Sequence, residues 1–89
     1  MSTAGRWSVK LSVSELDGET HAEARLISED NDHLSGRGTA RRNPADQNVT
    51  KIGEQIAVAR ALSDLAHGLL HAAATDIEAI THERAELHP

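Results

Sequence analysis

Residues 51–73 read KIGEQIAVARALSDLAHGLLHAA, and this run decides the fold because it is the one stretch long and periodic enough to be a helix. Counted at about 100° per residue, Ile52, Ile56, Ala59, Leu62, Ser63, Ala66, Leu69, Leu70 and Ala73 fall on one side, a wide apolar face that needs a sheet to cover. A second stripe, Val58, Ala61, Leu65, Gly68 and Ala72, recurs at spacings of three and four on the flank, the spacing of a seam between helices. Burial of this stripe in a homodimer is the expectation, because a small domain has few spare elements to cover it; loops or a C-terminal segment are the alternative.

Upstream, the chain supplies the sheet. From Trp7 to Ser14 apolar and polar residues alternate strictly, so that Trp7, Val9, Leu11 and Val13 share one face of a strand. Asp17-Gly18 then marks a tight hairpin, since both central positions of the favoured turn require positive φ. The second strand begins near Thr20, with Ala22, Ala24 and Leu26 facing the core and His21, Glu23 and Arg25 facing out. Residues 29–32, Glu-Asp-Asn-Asp, read as a solvated acidic turn, for they lack the glycine and distal glutamate of an EF-hand.

A third strand alternates from Leu34 to Arg42, placing Leu34, Gly36, Gly38 and Ala40 on the core face and Ser35, Arg37, Thr39 and Arg41 outside. Two core-facing glycines suit a helix backbone that approaches closely. SGRGTA lacks the glycine spacing and the Lys-Ser/Thr pair of a phosphate-cradling loop. Pro44 ends the strand, and Gln47 to Thr50 lead into the helix. Thr75-Asp76-Ile77-Glu78 has the form of a capping box, so either a short second helix starts there or the first runs through.

The expected fold is therefore α+β: a three-stranded antiparallel meander over residues 7–14, 20–27 and 34–42, with a helix from about residue 50 to 73 across one face (β-β-β-α). The 89 residues allow one domain, with residues 1–6 and 83–89 flexible. There is no cysteine, hence no disulfide, zinc-thiolate site or thiol nucleophile, and this fits a reducing cytoplasm. No apolar run is long enough to span a membrane, and the N-terminus lacks a signal-peptide core.

Catalytic patterns are weak. His67 and His71 have the four-residue spacing of metal ligands on a helix, but the glutamate and third ligand of a zinc hydrolase are missing. Ser63, Asp64 and His67 contain the residue types of a triad, yet they sit on a regular helix without a strained elbow or oxyanion donors. No enzyme, metal or cofactor is expected.

The net charge of −5 is uneven: residues 33–51 carry four basic groups and one acidic, against three and seven before them and two and six after. With Trp7 the single aromatic residue, an aromatic base-stacking surface is excluded. What remains for a polyanion is the outward sheet face, where Lys10, Arg25, Arg37 and Arg41 form a candidate RNA-phosphate patch extended by Arg42 and Lys51. An ordinary solvated face, with Glu23 pairing to a neighbouring arginine, is the alternative.

GTARRNPAD (residues 38–46), IGEQIAVARALSDL (52–65) and DIEAITH (76–82) together resemble a small actinobacterial family of unknown function with a double-stranded-RNA-binding-domain-like fold. Its members include a hypoxia- and dormancy-induced mycobacterial protein likened to ribosome hibernation-promoting factors. The resemblance spans nearly the whole chain and implies β-β-β-α topology, a homodimer, and a stress or dormancy role exerted by binding the ribosome and slowing translation. Authentic double-stranded-RNA-binding domains start their final helix with a lysine cluster; here that position holds only Lys51, followed by Ile52, Gly53 and Glu54. The second functional class is a homodimeric protein-interaction module that binds no nucleic acid.

Overall fold

The computed structural model describes residues 5–29, 33–41, 50–82 and 84–87. Three strands, β1 (Ser8–Leu16), β2 (Glu19–Ile27) and β3 (Ser35–Arg41), precede one helix, α1 (Thr50–Thr81). The sheet has the order β1-β2-β3 with both pairings antiparallel, which is the expected meander. Asp17 and Gly18 both have positive φ, 52° and 75°, the conformation a two-residue hairpin turn demands. That turn fixes the register, since counting outward from Leu16↔Glu19 pairs Val13 with Ala22, Leu11 with Ala24 and Val9 with Leu26.

The helix lies over β2 and β3. Beneath it are Thr20, Ala22, Ala24 and Leu26 of β2, and Gly36, Gly38 and Ala40 of β3. A Cβ on Gly38 would collide with the Ala57 carbonyl oxygen and the Ala61 nitrogen, and one on Gly36 with the Ala61 carbonyl oxygen and the Leu65 backbone. The two backbones thus touch, as the glycines on the core face of β3 led us to expect.

This contact overturns the expected phase of the helix. The residues against the sheet are Ala57, Ala61 and Leu65, all buried, flanked by Val58 and Leu69. The broader apolar face containing Ile52, Ile56 and Leu62 points away from the sheet and is exposed. Size decides the matter. Small side chains let the backbones meet, and four helical residues rise about 6 Å while two strand residues rise about 6.6 Å, so Ala57 and Ala61 step in time with Gly38 and Gly36, with the Leu65 backbone following against Gly36. The stripe assigned to a dimer seam is consequently the intramolecular contact: Ala61 and Leu65 are enclosed by their own sheet, Val58 packs at its margin, and Gly68 and Ala72 are half-buried.

The helix also runs through the capping-box sequence without a break. The Thr75 hydroxyl donates to the His71 carbonyl at 3.0 Å instead of capping a new helix. The last turn closes where His82, at φ 60°, donates its N–H to Glu78 O at 2.7 Å. At 32 residues α1 is about 48 Å long, against about 30 Å for the nine-residue strands, so its C-terminal third overhangs the sheet. Residues 84–87 bend back, the Ala85 N–H donating to Glu78 Oε1 at 2.9 Å. Pro44 and the lead-in to the helix lie outside the described residues.

Candidate nucleic-acid interface

Directly opposed residues in an antiparallel sheet share a face, so the register arranges the face away from α1 into cross-strand rows. Lys10, Arg25 and Ser35 form one row; Ser12, Glu23 and Arg37 the next; then Ser14, His21 and Thr39; then Leu16, Glu19 and Arg41. Four of the six expected cationic residues, Lys10, Arg25, Arg37 and Arg41, are thereby brought onto one surface, and all four are exposed. Lys51 is not among them, because it stands in the first turn of α1 on the opposite side of the sheet. Arg42 lies outside the described residues.

The four cations are not equivalent. Glu23 sits between two arginines, with Oε2 3.5 Å from Arg37 Nε and Oε1 3.9 Å from Arg25 Nη2. Arg41 stands directly opposite Glu19. Lys10 faces Arg25 across the ladder and has no acidic partner among the described residues. Like charges directly opposite each other weaken a sheet, and in this row Glu23 offsets the repulsion from the Arg25 side alone. Beside it the short side chains of Ser12, Ser14 and Thr39, with His21, Glu23 and Arg37, line a shallow depression of about 400 Å³. The Lys10–Arg25 pairing and the hydroxyl-lined depression were not singled out from sequence, although counting back from Asp17-Gly18 would have found the pairing.

The outer edge of β3 is clasped by the helix. Asp64 Oδ2 accepts the Arg37 N–H at 2.9 Å, and Arg60 Nη1 donates to the Thr39 carbonyl at 2.7 Å. This clasp fixes the strand that carries Arg37 and blunts an edge that would otherwise invite strand addition.

The residues weighed for catalysis make the following contacts. His67 Nδ1 donates to the Ser63 carbonyl oxygen at 2.8 Å, an ordinary intrahelical contact, while Asp64 serves β3. Among the described residues no cluster of three or more His, Asp or Glu side chains could hold a metal ion. Nor does any helix among them have the length and apolarity to cross a membrane.

The Rv2632c-like family profile matches residues 5–86. The uncharacterized protein Mb1767 of Mycobacterium bovis is 49% identical over 81 residues, covering 91% of this chain and 85% of that protein. The uncharacterized protein Rv2632c of Mycobacterium tuberculosis is 48% identical over 71 residues, covering 80% and 75% of the two chains. The crystal structure of Rv2632c superposes with a TM-score of 0.82 at 41% identity, over 92% of this chain and 96% of that one.

Proposed function

The chain belongs to the Rv2632c-like family, and from that premise we propose that it works by binding, without catalysis, through its outer sheet face. The ligand is the phosphate backbone of ribosomal or other structured RNA in the cytoplasm, and the consequence is slower translation under stress or dormancy. The opposed Lys10 and Arg25 carry this reading: two cations held side by side, with hydroxyl groups next to them, suit a polyanion. With a net charge of −5, the protein would be repelled by nucleic acid everywhere except at such a local patch, so binding depends on that face.

The second reading, a homodimeric protein-interaction module, is favoured by the exposed apolar residues of β1 and of the outward helix face. Pull-down of tagged full-length protein from starved cells, with and without ribonuclease, separates the two. Ribosomal RNA should co-purify, should be lost with ribonuclease, and should be lost with the Arg37→Glu, Arg41→Glu double variant. A stoichiometric polypeptide that persists after ribonuclease, with no RNA retained at low salt, would replace the RNA reading with the protein-interaction one.

A further inference from the structure

The C-terminal half of α1 carries His67 and His71 one turn apart, about 40° from each other around the helix axis. Residues four apart on a helix hold their Cβ atoms about 5–6 Å from each other, a separation that one metal ion bridges through two imidazoles. The first of the two rings is already set. A carbonyl oxygen only accepts, so the 2.8 Å contact with Ser63 O places a proton on Nδ1 and leaves the lone pair of the neutral ring on Nε2. A backbone carbonyl holding the far ring nitrogen is the usual means by which a metal-ligating histidine is oriented.

The spacing of the two histidines names no third ligand, but the fold brings one to them. Positive φ at His82 turns the chain, and the bond from the Ala85 N–H to Glu78 Oε1 holds residues 84–87 alongside the helix as a strap. From His82 to Leu87 the chain reaches at most about 17 Å, and the helix rises about 16 Å from His71 to His82, so the strap is just long enough to return to the histidines. There His67, His71 and Glu86 line one depression of about 250 Å³, with Leu70, Ala74 and Leu87 among its apolar walls. An apolar surround limits the access of water to a bound ion.

In this arrangement the Glu86 carboxylate is turned to Arg84, with Oε1 3.3 Å from Nη2, and among the described residues no third ligand yet stands beside the imidazoles. Both side chains of that ion pair are largely exposed. Such a pair contributes little, and a carboxylate–metal bond outweighs it. Rotation of one exposed side chain therefore completes the set, with no movement of backbone.

We infer that His67, His71 and Glu86 form a site for a divalent transition-metal ion of the zinc class, with water as the fourth ligand. Two imidazoles and one carboxylate suit zinc, copper or nickel, whereas magnesium and calcium take oxygen ligands throughout. Two ligands come from the helix and one from the strap, so the ion ties residues 84–87 to α1. The site shares no residue with the outer sheet face, and neither depends on the other.

Calorimetric titration of the untagged full-length chain, stripped of metal by a chelator, with zinc chloride at about pH 7.5 should give one ion per chain, and magnesium chloride should give no binding. His67→Ala and His71→Ala should each weaken zinc binding at least about 100-fold, and Glu86→Gln about 10-fold. All three positions are exposed, so the variants should keep their helical circular dichroism. Zinc should also slow tryptic cleavage after Arg84 at least about 10-fold in the wild type and not in Glu86→Gln, because the ion holds the strap closed. No binding at 100 μM zinc overturns the proposal, as does binding that survives the loss of either histidine. Histidine-dependent binding that Glu86→Gln leaves unchanged, or that leaves cleavage after Arg84 as fast as before, overturns it equally, for the strap then supplies no ligand.

Discussion

Gly38→Ala tests the contact on which the whole arrangement of the helix depends. The new Cβ would meet the carbonyl oxygen of Ala57, the nitrogen of Ala61 and the Cβ of Arg60, and the first two are backbone atoms that cannot rotate aside. Relief requires the helix to lift from β3, which loosens Ala57 and Ala61 together and strains the hydrogen bonds from Arg60 to Thr39 and from Arg37 to Asp64. Overpacking of a well-filled core costs about 1–3 kcal/mol, and a clash with two backbone atoms belongs at the upper end. A domain of this size has about 4–13 kcal/mol in total, at 0.05–0.15 kcal/mol per residue. A loss of about 3 kcal/mol should lower the thermal midpoint by about 12–24 °C, followed by circular dichroism at 222 nm. Gly68→Ala is the control, for its Cβ would meet nothing within 4 Å and should raise stability by up to about 1 kcal/mol through helix propensity. A Gly38→Ala variant that melts within about 4 °C of the wild type would refute the close backbone contact and the helix phase derived from it.

Leu65→Asp should cost about 4 kcal/mol by placing a carboxylate against Gly36 and the buried face of β2, and should remove most helical signal at 37 °C. A well-folded Leu65→Asp monomer would return Leu65 to an intermolecular seam. Asp64→Ala should cost about 1 kcal/mol by freeing the Arg37 N–H, and should raise light scattering on prolonged incubation because the β3 edge opens; unchanged stability and no added scattering would show that the clasp has no role. Gly18→Ala should cost about 1 kcal/mol, since its φ of 75° strains any residue with a Cβ, and equal midpoints in urea would argue against this turn geometry.

The parts of the fold legible in the sequence were those set by local chemistry. Asp17-Gly18 marked the turn, strict alternation marked β1 and β2, and Gly36 and Gly38 announced a closely approaching helix. The helix phase was misread because periodicity ranks faces by hydrophobicity, and Ile52, Ile56 and Leu62 outweigh Ala57 and Ala61 on that scale. Where two backbones touch, smallness outranks hydrophobicity. The glycines carried that information, but it becomes decisive only when the rise of a helix is matched to that of a strand. At Thr75 the capping-box pattern misled because a threonine inside a helix can satisfy its hydroxyl on the preceding turn, here His71 O, and leave the helix unbroken. For the outer face, alternation alone placed Lys10, Arg25, Arg37 and Arg41 together. The opposition of Lys10 to Arg25 emerged only from the register, and the exclusion of Lys51 only from the helix occupying the other side.

The phosphate-binding role of the outer face is tested most directly by titrating a fluorescently labelled ribosomal RNA hairpin with the full-length protein across a series of salt concentrations. With four exposed cations on that face, log affinity should fall linearly with log salt at a slope near −3, about 0.7–0.9 per phosphate contact. Lys10→Ala with Arg25→Ala should reduce the steepness by about 1.5 and weaken binding at every salt concentration, while leaving the helical signal unchanged. Binding that is flat in salt, that ignores the loss of Lys10 and Arg25, or that is absent at 20 mM salt would contradict it.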